Sequence, residues 1–460
     1  MVETDGTTRR IILFATSIGS FLNPFIGSMI VLAMPQVGLE FAVSARDLGW
    51  LTLIFLLANA IFLVPAARLS DILGYRRSYL LGALIVAVSC SLSVFAPTYP
   101  LLLFLRVCAA VGTSFLLITG LTILSRVYPV NERGGAFGIN TAMVYIGASA
   151  GPIIGGFLTG TFGWRSVFLV MIPLAFFAAI PLWKYYREDT RTASCGPFDI
   201  RGTLLYAAAM FCIMYGLSTL PATASLALAL IGGILMALFI RYELRQSCPV
   251  LHVGLFFTNK RFARSSYAAL LNYACTYGSI FFVSLYLQSI GHLTAEQAGL
   301  IVFFQPLIQA FMTPVAGKMS DRVDPRYIVT LGMILSAVGV LLLAGLTMQT
   351  ELHYIAVTQI CIGLGTALFS APNTNAIMGS VSRNEYSTAS GTVAVMRQSG
   401  MILSMAVCMA AISVFVGSTD MLGPDMYDRF LQALKISMII CAALAGVGAV
   451  FSWFRGSVQK

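Results

Sequence analysis

The stretch Ala67-Arg68-Leu69-Ser70-Asp71 recurs 250 residues later as Gly317-Lys318-Met319-Ser320-Asp321, with Arg76 matched to Arg326 and Gly82 to Gly332. A second stretch, Arg106-Val107-Cys108-Ala109-Ala110-Val111-Gly112-Thr113, falls on Gln359-Ile360-Cys361-Ile362-Gly363-Leu364-Gly365-Thr366 at an offset of 253. Two matches at nearly one offset mark a duplicated half. Both lie in or beside long apolar runs, so the duplicated unit is a set of membrane helices. Parallel repeats of this kind build transporters that rock around a site near the bilayer midplane.

The rest of the chain agrees. Of its 460 residues 58% are hydrophobic and 10% charged, against about 25% charged in a soluble domain. The mean hydropathy is +0.86. A soluble enzyme, a nucleic-acid binder and a disordered scaffold are all excluded. A spanning helix needs about 20 apolar residues. Fourteen runs qualify: 10–35, 47–69, 78–97, 100–123, 136–160, 164–183, 201–220, 223–241, 263–287, 297–318, 327–347, 353–379, 387–416 and 432–454. The expectation is an all-α polytopic membrane protein with two six-helix bundles, 1–188 and 261–460. An inserted helix hairpin with its linkers lies between them, at 189–260. The first run is read as a retained helix, because no small-residue cleavage site follows it.

Charge gives the orientation. With both termini cytoplasmic, the outer loops hold only Arg46, Arg165 and Arg429 among basic residues, beside Glu40, Asp47, Glu296, Glu351, Asp420, Asp425 and Asp428. The reverse topology would break the positive-inside rule. The net charge of +10 is therefore a topology signal and implies no nucleic-acid partner. Cys90, Cys108, Cys212, Cys275, Cys361, Cys408 and Cys441 lie in apolar runs without paired or zinc-like spacing, so they read as small core residues and no metal is expected. No Gly-Lys-Ser/Thr phosphate loop appears, which leaves an ion gradient to drive any transport. No membrane-embedded nucleophile stands with a base, and no cofactor is implied, so the chain does not read as an enzyme.

These residues resemble the major facilitator superfamily, and within it the fourteen-helix drug:proton antiporter family. The inner-loop signature is Arg68-Leu69-Ser70-Asp71 followed by Gly74-Tyr75-Arg76-Arg77. The antiporter signature is Gly147-Ala148-Ser149-Ala150-Gly151-Pro152-Ile153-Ile154-Gly155-Gly156. Tyr286-Leu287-Gln288 through Gly299 and Arg397-Gln398-Ser399-Gly400 add to the likeness, which covers nearly the whole chain. The resemblance implies alternating-access export of an amphipathic or lipophilic small molecule. Its implied partners are that molecule, the lipid bilayer of the cell membrane and protons, and it implies function as a monomer.

Three constellations carry the expected mechanism. Asp71 with Arg76 and Arg77, repeated as Asp321 with Arg326, reads as a conformational latch of charge-assisted hydrogen bonds; the plainer reading is a solvated basic loop. Gly147, Gly151, Gly155 and Gly156 at one-turn spacing let helix backbones approach closely, and Pro152 can kink the helix. The resemblance makes this segment the hinge. Arg106 and Arg397 are charges within spans. An arginine at mid-membrane costs roughly 2.5–3.5 kcal/mol on the insertion scale, so it needs a partner, a wet cavity or a path to the interface. The resemblance makes Arg106 a proton-coupling residue, although Ala109-Ala110 stands where the family carries Gln-Gly.

Apart from Asp47, the first residue of the second run, no Asp or Glu lies inside any predicted span, and Ile26 holds the place where the family's first span usually carries an acid. Uncharged polar groups remain to line a cavity: Asn23, Asn140, Tyr145, Tyr273, Tyr277, Gln305, Gln309 and Asn373. Each could equally be a helix-to-helix hydrogen bond. Three functions stay open at this level: proton-driven export of an amphipathic molecule, transport of an anionic or neutral metabolite or lipid, and a transport-inactive sensor or scaffold.

Overall fold

The computed structural model describes residues 5–128, 133–187, 199–220, 223–246, 253–320, 322–381, 386–417 and 423–456. Among them every regular element is helical. The order is α1 (Gly6–Phe41), α2 (Ala45–Leu73), α3 (Tyr75–Val94), α4 (Tyr99–Val127), α5 (Arg133–Phe162), α6 (Ser166–Leu169) and α7 (Met171–Tyr185). It continues with α8 (Ile200–Ser218), α9 (Thr223–Glu243), α10 (Gly254–Thr258), α11 (Lys260–Ser289), α12 (Ala295–Val302) and α13 (Phe304–Ser320). The last helices are α14 (Pro325–Leu343), α15 (Leu352–Met378), α16 (Tyr386–Phe415) and α17 (Tyr427–Trp453).

Thirteen of the described helical segments are long and apolar enough to cross a membrane. A fourteenth is the pair Asp47–Leu63 and Pro65–Leu73, bent by 49° at its break. Each corresponds to one of the fourteen predicted runs. Helices form throughout because the hydrocarbon core offers no water to unpaired backbone groups. Prolines account for the interruptions. Pro65 stands at the bend of α2, and Pro173 has no N–H for the Leu169 carbonyl, where α6 gives way to α7. Likewise Pro306 has no N–H for the Val302 carbonyl, and the tenth span breaks into α12 and α13 there.

The chain falls into two compact units, Met1–Phe41 with Trp50–Asp199 and Ala42–Gly49 with Ile200–Lys460. In the first, α1 packs along α5 and also touches α4 and α7, while α3 lies against α4 and α7. In the second, α11 packs with α16, α17 and α15, and α14 with α15 and α17. The α8–α9 hairpin belongs to this second unit and rests on α16 through α8. Its outer surface is a sheet of exposed Leu204, Phe211, Leu230, Ile234 and Leu238, as a lipid-facing element requires.

Candidate functional site

In the first unit the antiporter segment is a backbone seam. A Cβ on Gly147 would lie 2.5 Å from the Phe21 carbonyl oxygen of α1, and one on Gly155 would lie 2.9 Å from the Met29 Cα. At Gly151 it would overlap the Ser28 hydroxyl and sit 3.2 Å from the Met29 amide nitrogen. Gly156 and Pro152 are buried in the same helix. The seam is pinned by Ser20, whose hydroxyl donates to the Asn140 side-chain oxygen at 3.0 Å, and that amide is buried. Asn140 thus ties α5 to α1. Asn23 and Tyr145 are half-buried on the same two helices, and the Asn23 Nδ2 meets no hydrogen-bond partner among the described residues.

Arg106 is 1% exposed. Its Nε donates to the Leu51 carbonyl at 3.2 Å and its guanidinium lies 4.4 Å from the centre of the Phe55 ring. It therefore does not snorkel to an interface. The charge is held inside the helix bundle against α2, offset by a carbonyl dipole and the face of a π-system. One turn on, Asn59 Nδ2 donates to the Thr113 hydroxyl at 3.1 Å, so a polar strip runs down the α2–α4 contact.

The inner-loop signature is organised differently from the expected pairing. Gly74 turns the chain from α2 into α3 with φ 96°, a conformation that favours glycine. Asp71 then accepts from the Tyr75 hydroxyl and faces Arg68 at 4.0 Å, while the Tyr75 ring lies 4.7 Å under the Arg126 guanidinium of α4. Arg76 instead donates to the Trp183 carbonyl at 2.8 Å. That carbonyl is among the last four of α7, which have no intrahelical donor, so a cation suits the position. Arg77 is exposed. Tyr75 and Arg126, absent from the expected site, complete it. Asp71→Asn keeps the shape and removes the charge, and at least tenfold slower transport at matched expression is the expected result, the worth of about one charged hydrogen bond. Wild-type flux would reduce Asp71 to a topology marker.

At the opposite end of this unit, Arg165 and Glu40 form a bidentate pair, with contacts of 2.6 and 2.5 Å. Trp164 Nε1 donates to the same carboxylate at 2.7 Å, and Arg165 Nε donates to the Val94 carbonyl at 3.0 Å. The hydrogen bonds from Arg165 to Glu40 hold the guanidinium above its ordinary range. The clamp joins the ends of α1 and α3 to the turn after α5. Only the scarcity of charge in these loops hinted at it.

In the second unit Asp321 lies outside the described residues. Arg326 donates to the Tyr327 hydroxyl at 2.7 Å and stacks 5.3 Å from the centre of the Trp453 ring. Arg397 is half-buried in α16, a turn from Gly400, where a Cβ would strike the Leu270 carbonyl of α11. Tyr273 meets Phe369 edge to face at 6.4 Å, and Tyr277 and Gln309 are half-buried. Asn373 is not an open cavity group: it donates to the Ser265 carbonyl at 3.0 Å and accepts from Arg455 at 3.1 Å.

Gln305 is 5% exposed, and Gln359, the repeat partner of Arg106, is fully buried, as is Asn272. Both polar atoms of Gln359 and of Asn272, and the Gln305 Oε1, lack hydrogen-bond partners among the described residues. Such groups cost about 1–3 kcal/mol each. Asn272 and Gln359 are absent from the expected list, although they lie in predicted spans like the amides on it. Among the described residues no three His, Cys, Asp or Glu side chains converge as metal ligands.

A membrane-spanning all-helical bundle with a glycine seam and a buried arginine is the architecture of a secondary transporter. The chain matches the Major Facilitator Superfamily over residues 16–405 and again over 265–459, and it belongs to that family. It is 28% identical over 96% of its length to the riboflavin transporter RibZ of Clostridioides difficile, covering 97% of that protein. It is 27% identical over 93% of its length to the multidrug resistance protein Stp of Mycobacterium tuberculosis, covering 81% of it. The multidrug efflux pump LfrA of Mycolicibacterium smegmatis is also 27% identical, over 85% of this chain and 78% of its own. The fold is shared with a bacterial homolog of the human lysosomal transporter Spinster in its inward-facing, unoccupied conformation, at TM-score 0.72 and 18% identity over 98% of both chains. The protein is thus a membrane-embedded transporter of this superfamily, and the relatives named here are transporters, not enzymes.

Proposed function

We propose that the protein exports uncharged, amphipathic small molecules, flat heterocycles with amide-like edges among them, across the plasma membrane by proton-driven alternating access. The termini lie on the cytoplasmic side in this reading. One observation carries the cargo class: the buried amides of Asn272, Gln305 and Gln359 present donors and acceptors without partners. Meanwhile the family's usual acid position holds Ile26, 3% exposed. A lipophilic cation would need a carboxylate in the spans; a neutral heterocycle needs donors and acceptors in an apolar wall. Similarity to a riboflavin transporter along the whole chain supports the same reading. A monomer suffices for the cycle.

Purified protein in liposomes under an imposed pH gradient tests it. Uptake of riboflavin as a neutral probe should exceed that of a cationic and an anionic dye, collapse when the gradient is dissipated, and fall in Gln359→Leu. A preference for the cationic dye would refute the cargo class, and gradient-independent flux would refute the coupling.

A further inference from the structure

Three arginines converge at one end of the second unit. Arg261 stands in the first turn of α11, Arg326 in the first turn of α14, and Arg455 just past the end of α17. Arg455 is 4% exposed, and Gly456 at φ 89° turns the chain after it. Its Nη1 donates to Asn373, but Nε and Nη2 are buried and meet no acceptor among the described residues. The same holds for Nε and Nη2 of Arg261 and for Nε of Arg326. Burial brings the Arg455 guanidinium down to about 10; Asp324 opposes that shift, and the charges of Arg261 and Arg326 add to it. Asp324 itself caps α14 by accepting from the Arg326 amide at 2.9 Å.

The balance is therefore lopsided. Among the described residues three cations stand with one carboxylate, Asp324, which is already engaged in capping α14. Ordered water would satisfy the N–H groups without offsetting the charge, and a buried uncompensated charge is expensive. An oxyanion with several acceptor oxygens meets both needs, because guanidinium groups grip phosphate through paired hydrogen bonds. The surroundings favour a phosphate attached to a lipid. Exposed Tyr267, Tyr327, Phe451, Trp453 and Phe454 surround these helix ends, an aromatic belt at the level of headgroups. Basic recesses among membrane helices on the cytoplasmic side hold anionic headgroups by the same forces.

We propose that Arg455, Arg261 and Arg326 form a binding site for a phosphate oxyanion, supplied by the headgroup of an anionic phospholipid. The site is separate from the cargo amides, and its test reads binding instead of transport.

The full-length protein in maltoside micelles is titrated with phosphatidylglycerol, with diacylglycerol as the phosphate-free control, and with inorganic phosphate. Thermal unfolding and native mass spectrometry are the readouts. Phosphatidylglycerol should raise the unfolding midpoint and bind; diacylglycerol should do neither. Arg455→Gln and Arg261→Gln should each weaken phosphatidylglycerol by about tenfold or more, the worth of one charged hydrogen bond. Arg261 is half-buried, so its variant remains informative if Arg455→Gln fails to fold. Asp324→Asn, which keeps the cap, should tighten binding. Equal stabilisation by inorganic phosphate would retain the site and make free phosphate the ligand. Equal effects of diacylglycerol and phosphatidylglycerol, or unchanged affinity in Arg261→Gln, would overturn the proposal.

Discussion

Gly151→Leu is expected to give folded, membrane-inserted protein that binds its cargo and carries none across. The branched side chain lands where the Ser28 hydroxyl and the Met29 amide already are. Helices α1 and α5 must separate or lock, and overpacking of this kind costs about 1–3 kcal/mol. That sum is tolerable for a long bundle and prohibitive for a contact that has to slide. Binding measured by tryptophan quenching and uptake into liposomes should therefore part company. Gly151→Ala makes a graded control with partial loss. If Gly151→Leu transports at the wild-type rate, the seam is static packing and the hinge reading is wrong.

Arg106→Gln should have the second largest effect. The substitution imports the residue the second repeat already carries at the matching place, so insertion should be normal. It removes the charge above Phe55 and the Nε–H bound to the Leu51 carbonyl. Cation–π contact in a dry site is worth about 2 kcal/mol, and losing it loosens α2 against α4, which the Asn59–Thr113 hydrogen bond still joins. A neutral cargo should bind as before while proton-driven uptake is lost. An anionic cargo would instead lose affinity, and a cationic one would gain it. Binding and uptake on one preparation separate the three, and no change in either would leave Arg106 without a functional part.

The spans were legible because apolar length is a local property: about 20 residues of hydrocarbon-compatible sequence admit one structure. Glycine spacing was legible for a related reason, since side-chain absence at every fourth position can face only one neighbour. Pairing was less so. Whether Asp71 meets Arg76 or Tyr75 depends on how α3 rotates after Gly74, and the orphan carbonyls of α7, over 100 residues away, claimed Arg76. Asn373 looked like a cavity fixture from its place in a span. Its partner Arg455 comes 82 residues later, beyond the last apolar run, where a basic residue reads only as a topology signal. The Glu40–Arg165 clamp joins residues 125 apart in loops whose mutual approach the packing of α1, α5 and α6 decides.

The burial of Arg106 has an electrical consequence. A guanidinium in a protein does not lose its proton at any physiological pH. Every described acid outside the loops sits in the first or last turn of its helix, while Arg106 lies deep in α4. Arg106 is then a fixed positive charge inside the transmembrane field. A full crossing of that field is worth about 2.3 kcal/mol per 100 mV, and a partial displacement a proportionate share. If α4 shifts along the membrane normal during the cycle, the empty carrier should reorient at a rate set by voltage, even with uncharged cargo. Pre-steady-state currents on a solid-supported membrane would register that movement, and in Arg106→Gln they should be absent.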